Sequence, residues 1–197
     1  MTLPSEAFRA KILEEAIGIV YRHGPRRVTM RSLAEKLGYS PGTIYLHFRN
    51  KQELLKEIAL HGFDALGDTV APAQALEDPF EAIAETARRY IDFGLEHHAL
   101  YRLMFHDIAL VEPLAPADYA RMARTWALGR SLYERGIASG AFRPGDPEIE
   151  ANIGWAWVHG FVELAASGRL PAGGGLPKQL RTVRDAMIEA RLRALRP

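Results

Sequence analysis

The chain has 197 residues, 48% of them hydrophobic and 25% charged, which suffices for a buried core in one domain or two small ones. It has no cysteine, which excludes disulfides and thiolate chemistry, and its apolar runs are broken by charge before the ~18 residues of a membrane span. Net charge is +1 but uneven: residues 1–52 hold nine Lys/Arg against four Asp/Glu (+5), and residues 53–197 hold sixteen against twenty (−4), the pattern of a molecule that meets nucleic acid with one end.

The first residues, MTLPSEAFRAKILEEA, contain acids and no apolar stretch, so they do not read as a secretory signal, and the expected location is cytoplasmic with no membrane partner. Ser5 is placed to cap a helix over residues 6–23 whose apolar stripe is Phe8, Ile12, Ala16, Ile19 and Val20. Gly24-Pro25 stops it. Arg9, Lys11, Arg22, Arg26 and Arg27 on or just after it read equally as phosphate contacts or as a solvated face. Thr29 is an N-cap type, and Met30, Leu33, Ala34 and Leu37 lie on one side of the helix it would start. Gly38 suits a left-handed C-cap. Ser40 then caps a new short helix with Pro41 in its first turn. Ile44 and Phe48 face inward, which leaves Pro41, Gly42, Thr43, Tyr45 and His47 outside. Asn50 followed by Glu53 reads as a capping box for the next helix.

Two helices about a short glycine-containing turn form a helix-turn-helix. The second is too short to persist alone, so neighbours must hold it while its outer face stays free for a groove. The ordered residues Thr29, Ala34, Gly38, Ser40, Gly42-Thr43-Ile44-Tyr45, His47-Phe48 and Lys51 resemble the N-terminal signature of the TetR family of transcriptional regulators. The close match covers roughly the first quarter of the chain. The DNA-facing set is then Thr29, Arg31, Ser40, Pro41, Gly42, Thr43, Tyr45, His47 and Lys51. Lys51 sits in the first turn of its helix, where the dipole disfavours a cation, and the resemblance gives it a phosphate as partner.

The helix after Asn50 is expected to reach residue 68, with Leu54, Leu55, Ile58, Leu60 and Phe63 inward, and to act as the lever between two parts. Residues 69–78 read as a loop and domain boundary. Further helices are expected over 79–97, 99–107, 117–139, 147–167 and 177–195, with a loop over 108–116 and a Gly173-Gly174-Gly175 connector. No stretch alternates like a strand. The fold class is all-α with about nine helices: a DNA-binding domain over 1–52, a connecting helix over 51–68, and a helical ligand-binding and dimerisation domain over 69–197.

In the penultimate helix Ile149, Ile153, Trp157, Gly160, Phe161 and Leu164 form one stripe, and Trp155, Val158 and Val162 widen the apolar area beyond it. Such a helix must bury more than one face. One face is assigned to its own subunit, and Trp155, Val158 and Val162, with Val183 and Met187 of the last helix, to a two-fold homodimer partner. The resemblance implies the same dimer, on a pseudo-palindromic duplex operator. Trp155-Ala-Trp-Val-His159-Gly160 also resembles the Trp-x-x-x-His-Gly motif of one TetR C-terminal subgroup. Tyr90, Phe93, Tyr101, Met104, Phe105, Met122, Trp126 and Trp157 are bulky and half-polar, and with the resemblance they point to a pocket for a small, partly apolar effector.

No catalytic residue, metal site or cofactor is expected. His97 and His98 are adjacent and so diverge by about 100° on a helix, and no Walker loop, nucleophile elbow or dinucleotide fingerprint occurs. The function read from the sequence is a ligand-responsive DNA-binding regulator, a repressor released by its effector. The alternative is an all-helical small-molecule-binding protein or enzyme with a vestigial helix-turn-helix.

Overall fold

A computed structural model describes residues 6–107, 113–170 and 176–197. Among them are nine α-helices, two 3-10 turns and no strand. The α-helices are α1 (Glu6–His23), α2 (Met30–Leu37), α3 (Pro41–Tyr45), α4 (Lys51–Val70), α5 (Pro79–Glu96), α6 (His98–Phe105), α7 (Pro116–Ala138), α8 (Pro147–Ala166) and α9 (Leu176–Leu195). The 3-10 turns, Pro25–Arg27 and Ala71–Ala75, fall where the sequence pattern suggested only a stop and a loop. The expected Ser5 cap, part of the 108–116 loop and the Gly173–Gly175 connector lie outside the described residues.

The caps explain why the elements start where they do. Thr29 is extended, and its hydroxyl accepts from Ser32 N–H at 3.0 Å. Ser40 does the same for Thr43 N–H at 3.3 Å, with Pro41 following, and Asp146 accepts from Glu148 N–H at 2.8 Å. Gly38 ends α2 at φ 76°, and Tyr39 N–H closes the turn on the Ala34 carbonyl at 2.9 Å. A side chain at that φ is strained, so Gly38→Ala is expected to lower stability by about 1–2 kcal/mol, read as a shift in a urea unfolding midpoint.

By their contacts the residues form two compact units, Met1–Phe63 with His97–Arg121, and Asp64–Glu96 with Met122–Pro197. The first packs α2 on α3, and α1 on α2 and α6. Its core is built from Ile12, Ala16, Val20, Leu33, Ile44, Phe48, Leu54, Ile58, Leu100 and Tyr101, all fully enclosed. Gly62 lets α4 approach α6 closely, for a Cβ there would fall 2.6 Å from Met104 Sδ. Chain order alone put α6 with the later helices; packing groups it with α1. Nearby, Asp118 at the start of α7 accepts from Ala115 N–H at 2.7 Å and pairs with Lys56 at 3.3 Å. The bond from Ala115 N–H leads in holding the Asp118 carboxyl below its ordinary pKa, and Lys56 adds to it.

The second unit packs α5 on α8 and α9 around Ala82, Ile83, Leu132, Tyr133, Phe142, Ala151 and Leu195. An ion network absent from the sequence reading crosses it. Glu150 and Arg191 are 5% and 6% exposed. Arg191 Nη2 donates to Glu150 Oε2 at 2.6 Å and to the Glu150 carbonyl at 2.9 Å. Arg143 Nη2 reaches the other carboxylate oxygen at 2.7 Å, and its Nε donates to the Ala194 carbonyl at 2.8 Å. Arg191 also lies 5.2 Å from the centre of the Tyr133 ring. Burial pushes the Tyr133 phenol up and Arg191 opposes it.

The helix α8 reverses one expectation. Val162 is fully enclosed, and Trp155 turns toward α5, its Nε1 donating to Tyr90 Oη at 3.0 Å. Ile149, Ile153, Trp155, Trp157 and Leu164 are left in solvent, at 59%, 38%, 43%, 39% and 45% exposure. The assignment of Val162 to a partner is therefore corrected: it serves its own unit, whereas Trp155, bonded to Tyr90 through one edge, keeps 43% of its surface in solvent. Both sides of α8 are apolar, so periodicity revealed two faces without saying which one the subunit would claim.

Candidate nucleic-acid interface

The helix α3 is five residues long and is held by two anchors, Ile44 and Phe48, both 0% exposed. Phe48 is covered in turn by the Arg9 guanidinium, 4.5 Å from its ring centre. Around these anchors Pro41, Gly42 and Tyr45 are exposed and Thr43 is half-buried. Small groups at a helix start, with a phenol at its other end, suit phosphates and base edges in a major groove.

The expected DNA-facing residues divide by what they already do. Thr29 and Ser40 spend an oxygen lone pair on their caps, and Ser40 and Thr43 hydroxyls lie 3.0 Å apart. His47 is half-buried with its ring edge-on to Phe8 at 5.1 Å, so part of its surface supports α1. Lys51 is tied down: its Nζ donates to the Arg26 carbonyl at 3.1 Å, and burial lowers its pKa below that of a free lysine. That bond gives a cation in the first turn of α4 a structural reason to be there, and leaves two of its three N–H donors for a phosphate. The Asn50–Glu53 box is shifted by one residue. Glu53 N–H donates to Asn50 Oδ1 at 2.8 Å, but the Glu53 carboxylate returns to Arg49 N–H at 2.7 Å. Arg26, Arg27 and Arg31 are exposed, and among the described residues no ion pair holds them. The most exposed large hydrophobic side chain among the described residues is Leu46, at 63%, directly after α3; it was not among the expected contacts.

Residues 12–58 match the family described as bacterial regulatory proteins, tetR family, and residues 83–191 match the tetracyclin repressor-like C-terminal domain. The chain belongs to the TetR family. It is a DNA-binding transcriptional regulator of the ligand-responsive repressor type. Among relatives of this TetR chain is the HTH-type transcriptional repressor KstR2 of Mycobacterium tuberculosis, 27% identical over 177 residues, covering 84% of this chain and 82% of that protein. A Rhodococcus sp. RHA1 protein of unknown function superposes with TM-score 0.81 at 26% identity, covering 98% and 97% of the two chains. The fold also matches AibR, solved with isovaleryl coenzyme A and operator DNA, at TM-score 0.67 and 21% identity over 92% and 96% of the chains. No helix among the described residues is long and apolar enough to cross a membrane.

The expected effector residues distribute over both units. Tyr101 and Met104 are buried in the first, with the Phe105 ring tilted by 52° against Tyr101 at 4.7 Å between centres. Tyr90 and Phe93 are buried in the second, and Met122 and Trp126 are half-buried there. Trp157 is on α8, 39% exposed. A surface hollow of about 460 Å³ opens beside Glu77, Pro79, Arg135, Ser139, Gly140 and Ala141, and none of the expected residues lines it.

Proposed function

We propose that two copies of the chain pair through α8 and α9, so that their α3 helices enter successive major grooves of one pseudo-palindromic duplex, roughly 34–36 Å apart. The observation that carries this is the exposed apolar stripe Ile149, Ile153, Trp157 and Leu164 on α8, beside exposed Val183 and half-buried Met187 on α9. A run of that kind needs a cover, and a second copy supplies one by symmetry. Val158, half-buried on the opposite side of α8, contributes at most an edge. The effector is a small, partly apolar molecule. Tyr90, Phe93, Met122 and Trp126 supply apolar and aromatic surface for it, and Tyr90 Oη, 3.5 Å from His159 Nδ1, supplies polar atoms to orient it. It releases DNA only to the extent that it binds the released state more tightly.

The deciding experiment titrates a selected duplex with the protein across a salt series. Two chains per duplex are expected, with log affinity falling linearly in log salt. One chain per duplex, or affinity indifferent to salt, overturns the reading. In the same assay Tyr45→Ala and Lys51→Ala are each expected to weaken binding by about 1–3 kcal/mol. Only Lys51→Ala should also lower the melting temperature, because it removes the bond to the Arg26 carbonyl while Tyr45 is exposed.

A further inference from the structure

We infer that Leu46 is a specificity-determining residue that reads the C5-methyl group of a thymine in the major groove. The inference rests on α3 being the groove-entering helix. Leu46 keeps helical dihedrals, φ −69° and ψ −21°, and its N–H bonds the Gly42 carbonyl. It stands two residues after Ile44 and two before Phe48. At ~100° per residue it therefore points away from both anchors. Its exposure of 63% agrees.

Gly42, one turn earlier, lies on the same side. It has no positive φ, and a Cβ there would meet nothing nearer than Ser40 Oγ at 3.7 Å. Neither backbone conformation nor packing within the chain requires glycine at a position where it weakens a helix. Its smallness leaves room for a partner, and that room lies beside the Leu46 side chain. A leucine has no donor or acceptor, so it cannot read the hydrogen-bonding edge of a base. The apolar feature of the major groove is the thymine methyl. Thr43 and Tyr45 flank Leu46 with hydroxyls, which can take phosphates or polar base edges. Leu46 is left to discriminate thymine from cytosine by shape.

The test begins by selecting a preferred operator from random-sequence duplexes with the full chain. Each thymine is then replaced singly by deoxyuridine, which removes only the methyl group. One position per half-site is expected where the parent loses about 3- to 10-fold in affinity, the equivalent of one methyl group left unburied. Leu46→Ala should bind the thymine operator more weakly by a similar factor and be indifferent to deoxyuridine at that position. Its melting profile should match the parent, since the side chain is in solvent. Tolerance of every replacement by the parent overturns the proposal, as does a Leu46→Ala variant as sensitive as the parent. Salt-dependent binding with no preferred duplex overturns it too, but leaves DNA binding standing. Failure to bind any duplex at low salt removes both.

Discussion

Glu150→Ala is expected to lower folding stability by about 3–5 kcal/mol. The carboxylate is 6% exposed, receives Arg191 on one oxygen and Arg143 on the other, and joins α8 to α9 and to the end of the chain. Truncation strands the Arg191 guanidinium, itself 7% exposed, in the interior with only the Glu150 carbonyl and the Tyr133 ring near it. An unpaired buried charge is what makes such truncations costly, more than the loss of attraction. For a chain of this length the loss corresponds to a melting shift of roughly 6–20 °C. Replacing both buried partners with apolar residues, Glu150→Leu with Arg191→Met, should recover most of it, because the one cation left without its carboxylate, Arg143, is 43% exposed and can be solvated. A loss under about 1 kcal/mol in Glu150→Ala, read by urea denaturation, would mean that water reaches the pair and that the network is ornamental.

Ile153→Glu combined with Leu164→Glu is expected to leave a folded monomer whose operator affinity is down about 100-fold or more. Both side chains are in solvent in a single chain, at 38% and 45% exposure, so the fold loses little. In the proposed pair they would meet their symmetry mates, and four carboxylates would have to be buried together without partners. Separating the two reading helices removes the effective concentration that links the second half-site to the first, a factor of about 10²–10⁴. Affinity for an isolated half-site should be unchanged. Sedimentation velocity gives the mass and a titration gives the affinity. A variant that sediments and binds as the parent does would exclude α8 as the pairing surface. Val162→Glu is the internal contrast: that residue is fully enclosed, and a charge there should unfold the unit.

Much of this architecture was legible in the chain because its helix ends are written locally. Thr29, Ser40 and Asp146 are cap types and act as caps, and Ile44 and Phe48 were recognised as anchors from spacing alone. The TetR signature agreed with the family matched. What escaped the reading depends on residues far apart in sequence. Glu150 and Arg191 are separated by 41 positions, and each looks like a surface charge by itself. Lys51 and Arg26 are 25 apart, so the bond that ties the lysine to a carbonyl has no local signal beside the expected phosphate contact. The two apolar sides of α8 were visible, but their division between core and solvent is decided by α5, whose Tyr90 takes Trp155. The place of Leu46 opposite Ile44 and Phe48 follows from counting, but an apolar type on a polar face carries no sequence signal of its own for a base contact.

The anchoring of α3 chiefly through Ile44 and Phe48 has an evolutionary consequence. Positions 42, 43, 45 and 46 carry almost none of the fold's cohesion, so changes there cost the scaffold little while altering which duplex is preferred. Duplicated copies of this gene could acquire new targets by drift at those sites, with the remaining helices, and whatever small molecule they answer to, inherited intact.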